Sequence, residues 1–204
     1  MPSSTPRAPV SRRRLLQLSG ASAAVIALGI DARSARAEPS SELEGAGAPE
    51  GMFSLGVASG APRPDGAVLW TRLAPEPLAE DGHGGMPLKE VTVRWEVATD
   101  EDFRGIVAHG RALAQPGLAH SVHPRVEGLE PGTEHFYRFR VGRELSPVGR
   151  FRTLPAAGET PESFSFGLVS CQAWYHGHFT AHRHLAAEED LDLVVFVGDY
   201  IYEY

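Results

Sequence analysis

The chain has 204 residues, room for one complete domain and a piece of another. Acidic residues outnumber basic ones, 26 to 19, and beyond position 37 the imbalance widens to 25 against 13. With no Lys/Arg cluster beyond that point, the balance argues against nucleic acid as the main partner. The single cysteine, Cys171, rules out an internal disulfide and leaves a core thiol, a free reactive group or a metal ligand.

Residues 1–37 read as an address rather than as part of the fold. Ser11-Arg12-Arg13-Arg14-Leu15-Leu16 is a twin-arginine pattern, followed by the weakly apolar stretch from Leu18 to Ile30. Ala35-Arg36-Ala37 then offers a small-x-small cleavage site. The stretch carries Gln17, Ser19, Gly20 and Ser22 and falls short of the ~20 apolar residues that a membrane span needs. The expectation is an exported protein, secreted or periplasmic, handled by the twin-arginine machinery and free of a membrane span once the signal is cleaved. Residues 38–51, rich in Ser, Gly, Ala, Pro and Glu, read as a flexible leader.

Residues 52–155 carry short β-type runs separated by turn signals. In Glu90 to Val97, the residues Val91, Val93, Trp95 and Val97 alternate with Thr92, Arg94 and Glu96, the period of a half-buried strand. Further strands are expected at 67–73, 120–126, 135–141 and 148–153. Turn chemistry lies between them at Pro64-Asp65-Gly66, Asp81-Gly82 and Glu130-Pro131-Gly132-Thr133. Several strands with no convincing helix predict an antiparallel sandwich. Gly128-Leu129-Glu130-Pro131-Gly132-Thr133, with Tyr137 in the next strand, resembles fibronectin type III modules. There a Leu-Pro corner packs against an aromatic of the following strand.

After a linker at 156–163 the pattern changes. Phe164 to Ser170 reads as a strand, Phe179 to Glu189 as a helix with Phe179, Ala186 and Leu185 inward, and Leu191 to Val197 as a second strand. Strand, helix and strand in under forty residues predict a parallel βαβ unit. Its two strands end on one edge, which brings Cys171 beside Asp199. A core cysteine would more naturally fall inside a strand than just past its end, so this position favours a site residue.

Cys, Asp and Tyr are anionic donors when bound, and a cluster of them needs a highly charged cation. Phenolate and thiolate suit ferric iron better than magnesium or calcium. Asp199 has two oxygens, so it could hold iron on one side and a hard divalent ion on the other. Spacing leaves Tyr202 as either a metal donor or an ordinary aromatic at the sheet edge, while Tyr200 reads as packing. His178 and His182 have i, i+4 spacing, yet no matching second motif appears. His176, His178, His182 and His184 are therefore read as surface or substrate-rim residues rather than metal ligands. A Cys171–His176 nucleophile pair lacks a recognisable orienting residue or oxyanion loop.

Several runs together resemble the alkaline phosphatase D family. They are Phe53 to Gly60, Asp65, Val68 to Leu73, Ser170-Cys171-Gln172, Gly177-x-Phe179-x-Ala181 and Asp192 to Glu203. The resemblance covers nearly all of residues 52–204. It implies a fibronectin type III-like domain followed by the first βαβ unit of a truncated calcineurin-like metallophosphoesterase domain at 164–204. It also implies hydrolysis of phosphate mono- or diesters by a metal-bound hydroxide, with iron (Fe3+) and calcium as cofactors. Carried over by position, Cys171 and Tyr202 would ligate iron, and Asp199 would bridge the two metals as the catalytic carboxylate. The remaining ligands of the family are not found before position 204, so the chain is expected to be the front of a longer enzyme and inactive alone. The competing expectation is a secreted binding module built on the fibronectin-like domain. Monoester, diester or phospholipid specificity is not written in these residues.

Overall fold

Alternation of apolar and polar side chains builds most of the strands. The computed structural model describes residues 50–173, 175, 177–200 and 202; the expected signal segment, most of the expected leader and His176 lie outside the described residues. In chain order the strands are β1 (Val57–Arg63), β2 (Gly66–Arg72), β3 (Val91–Ala98), β4 (Ile106–Ala114), β5 (Ser121–Val122), β6 (Arg125–Val126), β7 (Glu134–Val141), β8 (Glu144–Leu145) and β9 (Gly149–Arg152). After them come β10 (Phe166–Val169), α1 (Thr180–Ala186) and β11 (Leu193–Phe196).

The first nine strands form two antiparallel sheets. One runs β1-β2-β5 with β6 also on β2, and the other runs β4-β3-β7-β8 with β9 also on β7. Both sheets bury their apolar side in one core: Leu69 and Val126 from the first meet Val93, Val97 and Phe139 from the second. Each large side chain buried in this way contributes roughly 1.5–3 kcal/mol. Tyr137 crosses this core with its ring edge-on to Phe139, centroids 6.2 Å apart, and tilted to Phe151 at 5.9 Å. Leu129, from the Leu-Pro corner, belongs to the same cluster, and its N–H donates to the Asp65 carbonyl at 2.9 Å.

Close approaches explain two local sequence choices. Gly66 begins β2 after the two-residue Pro64-Asp65 turn, and a Cβ there would collide with the Val126 carbonyl. Gly110 of β4 lies under the Trp95 indole, where a side chain has no room. The expected strand at 120–126 is broken into β5 and β6 because Pro124 has no N–H for a ladder; its carbonyl instead accepts from Leu69 N–H at 2.9 Å. β4 was not anticipated.

Beyond the sandwich, β10 and β11 pair in parallel from Phe166↔Leu193 to Val169↔Phe196, with α1 between them in the chain. Asp192 ties this pair to β9. Its carboxylate accepts from Ser165 N–H at 2.9 Å and faces Arg152 Nε at 3.6 Å. Arg150 Nη2 also donates to the Glu188 carbonyl at 2.9 Å. Phe166, Leu168, Val194 and Phe196 remain exposed, since one seven-residue helix cannot cover a parallel pair that ordinarily has both faces buried. No helix among the described residues is long and apolar enough to cross a membrane.

The helix is shorter than expected, Thr180–Ala186 instead of 179–189, and three readings change with it. Phe179 sits at the N-cap with left-handed backbone, φ 49. Leu185 faces inward over Gly167, whereas Ala186 is exposed. His178 precedes the helix, so it shares no helical face with His182.

Candidate metal centre

The site is built where β10 and β11 stop. The ladder reaches one step past the strands, with Val197 N–H donating to the Val169 carbonyl at 3.0 Å. The chain then turns sharply on both sides. Gly198 has φ 122, a conformation open to glycine, and Asp199 follows with φ 48. Cys171, two residues past the end of β10, has φ 62. Left-handed backbone at two non-glycine positions costs about 1–2 kcal/mol each, and such strain gathers at functional sites.

Main-chain hydrogen bonds lace the two turns together. Gln172 N–H donates to the Asp199 carbonyl, and Tyr202 N–H donates to the Gln172 carbonyl, both at 3.1 Å. This curl brings Tyr202 back over the site. Its Oη–H donates to Asp199 Oδ2 at 2.6 Å, and Cys171 Sγ lies 3.7 Å from the same oxygen. Thiol, carboxylate and phenol thus converge on one point, and all three residues are exposed. The bond to Asp199, then the neighbouring Cys171, pushes the Tyr202 phenol well above its usual range. Asp199 Oδ1 makes no hydrogen bond among the described residues.

Geometry agrees with the donor chemistry of a cation site: three groups able to become anionic share one locus, and one carboxylate oxygen is left over. Among the described residues no cluster of three His, Cys, Asp or Glu side chains exists; the three groups that converge here are a thiol, a carboxylate and a phenol. Neither the backbone strain at Cys171 and Asp199 nor the bridging role of the Gln172 main chain has a sequence signal. Glycine marks left-handed positions in a sequence, and neither position is one.

Among the described residues no histidine is hydrogen-bonded to Asp199 Oδ2, the point shared by Cys171 and Tyr202. His182 is half-buried and stacks on Phe196 of β11 with centroids 6.0 Å apart, so it packs the helix to the sheet instead of standing on the surface. His178 and His184 are exposed. Tyr200 is exposed with its ring edge against Phe196 at 4.8 Å, a packing contact.

Comparison with known proteins bears on both halves of the chain. Residues 37–155 match the family described as PhoD-like phosphatase, N-terminal domain, and residues 166–204 match PhoD-like phosphatase. Alkaline phosphatase D of Bacillus subtilis (strain 168) is 56% identical over 152 residues, 74% of this chain and 25% of that protein. A solved structure titled "Structure of PhoD" aligns with TM-score 0.71 and 56% identity, covering 74% of this chain and 28% of the other. The chain therefore spans about a quarter of the length of the curated relative it matches. It is a mostly β structure of the same fold as that solved relative, and it belongs to the PhoD-like phosphatase family.

Proposed function

We propose that this chain carries part of the metal centre of an exported phosphatase that hydrolyses phosphate mono- or diesters. The observation that carries the reading is the convergence of Cys171 and Tyr202 on Asp199 Oδ2. Cys171, Tyr202 and Asp199 would hold ferric iron, and Asp199 would also hold calcium. Bound there, the two cations would supply the charge that lowers the pKa of water and polarises phosphoryl oxygens for in-line attack. The protein's own part is to fix the donors. The left-handed turns aim Cys171 and Asp199 at one point, and the Gln172 main chain holds Tyr202 over it. Cation uptake requires the thiol and phenol protons to leave. Three donors are fewer than a tightly held cation takes, so the 204-residue chain by itself binds metal weakly and is inactive.

In this reading residues 1–37 direct twin-arginine export and 38–51 form a leader. Residues 52–155 are a fibronectin type III-like sandwich, 156–163 a linker, and 164–204 the opening βαβ unit of a calcineurin-like domain. The full gene product, purified from periplasm or medium, tests it. Iron together with calcium, hydrolysis of a chromogenic phosphodiester, and loss of both iron and activity on Cys171→Ala support the reading. An iron-free product, or a silent Cys171→Ala change, defeats it.

A further inference from the structure

One side of the sandwich carries a groove of about 380 Å³ between strand β4 and the segment that forms β5 and β6. Its floor is apolar. Trp95, half-buried at the margin of the core, lies over Gly110, and Ala112 and Leu118 extend the apolar surface. Its rim is basic, with Arg111 from β4 and His123 and Arg125 from the facing segment. No carboxylate lines the groove among the described residues. Arg111 forms no ion pair among them, and Arg125 shares Glu127, 3.7 Å away, with Arg63.

β4 also offers main chain. Among the described residues it pairs only with β3, so every second N–H and C=O along its nine residues faces away from the sheet. Its side chains alternate: Ala108, Gly110 and Ala112 are partly buried on the core side, while His109, Arg111 and Leu113 are exposed. An extended segment laid beside β4 follows the same alternation. It places one side chain over Trp95 and the two flanking ones on the side of Arg111. Such a site fits a bulky apolar residue between two carboxylates.

We propose that Glu42-Leu43-Glu44 of this same chain docks there as a strand added to β4, with Leu43 against Trp95 and the carboxylates at the basic rim. Residues 41–49 hold no other large apolar side chain and no basic one, which leaves a single favourable register. The segment also arrives at the right end of the sandwich. It joins the described residues at Glu50, and the Met52 carbonyl accepts from Ala74 N–H at 2.9 Å. Leu73 N–H donates to the His120 carbonyl at 3.2 Å, and His120 N–H to the carbonyl of Gln115, the residue after β4, at 2.9 Å. Gly110 lies four residues before the end of β4, about 14 Å away. The nine residues from Leu43 to Met52 span up to about 30 Å. Tethered in this way, the segment is present at an effective concentration of order mM, so a weak contact suffices to hold it.

Hydrogen exchange of residues 106–114 in the full 204-residue chain tests the docking. The β4 amides that face away from β3 should exchange about tenfold or more slowly in the parent than in Leu43→Asp, with β3 unchanged. Glu42→Lys/Glu44→Lys should lose the same protection, and adding Arg111→Glu should restore part of it. Equal β4 exchange in the parent and Leu43→Asp overturns the proposal. So does a loss that extends to β3, or a charge-reversed pair that keeps the parent's protection. Protection that grows with protein concentration assigns the groove to a second copy and overturns it as well. None of these readouts involves metal, so the docking and the metal-centre reading stand or fall separately.

Discussion

Cys171 and Asp199 lie just past the ends of two paired parallel strands, two residues after Val169 and three after its partner Phe196, and both hold left-handed backbone, φ 62 and φ 48. Their turns are stitched by Gln172 N–H to the Asp199 carbonyl at 3.1 Å. The arrangement places a thiol 3.7 Å from a carboxylate oxygen that also accepts the Tyr202 hydroxyl. A fold with no use for that convergence would gain by placing glycine at both turns.

That relation yields a prediction in which stability and site move in opposite directions. Cys171→Gly relieves left-handed strain and should stabilise the β10–β11 end by about 1 kcal/mol. It removes the thiol at the same time. Slower hydrogen exchange of the Val197 amide, which donates to Val169, would register the gain.

Gly66→Ala should destabilise the sandwich by about 2–3 kcal/mol, since the new Cβ meets backbone and not a flexible side chain. Urea denaturation followed by tryptophan fluorescence measures it. An unchanged midpoint would show that the β1–β2 turn does not press against Val126.

His135 is buried beside Phe151, and neither ring nitrogen has a hydrogen-bond partner among the described residues. Burial lowers its pKa below 6.5, with the nearby Glu130 carbonyl partly opposing. The unfolded imidazole therefore takes a proton before the folded one does. Stability from this residue is full above about pH 6.5 and declines as pH falls towards the depressed folded value. His135→Leu should flatten that acid limb and add about 1–2 kcal/mol at neutral pH by removing two unpaired polar atoms. Thermal midpoints of parent and variant between pH 5 and 8 decide it.

Tyr137 gives the opposite limb. Burial pushes its phenol up to about 12, with the Ser59 side chain partly opposing. The unfolded phenol ionises near 10, so the unfolded state loses its proton first. Stability should be full below pH 10 and fall as pH rises from about 10 to 12. Tyr137→Phe should remove that alkaline loss in a denaturation series run from pH 9 to 12.

Much of this was legible in the residues, for physical reasons that also mark where legibility stops. β2, β3 and β7 each carry branched or aromatic residues at period two, and all three form. β4 escaped because its partly buried positions are Ala108, Gly110 and Ala112, small so that Trp95 can lie across them, while Ile106, Val107 and Leu113 stand exposed. That Arg94 stands opposite both Arg111 and Arg140 was not legible, because register and not sequence distance brings these positions together. Cys171 and Asp199 were readable from their places after apolar runs. The curl that returns Tyr202 depends on Gln172 main-chain bonds, which any residue but proline could make.

The central claim is that Cys171, Asp199 and Tyr202 form one cation site. Ferric iron titrated into the 204-residue chain, followed by visible absorption, tests it most directly. The account predicts a phenolate- and thiolate-to-iron charge-transfer band that disappears in Tyr202→Phe and shifts in Cys171→Ser. A band unchanged in both variants, or no band at any iron concentration at which the protein stays soluble, would contradict it.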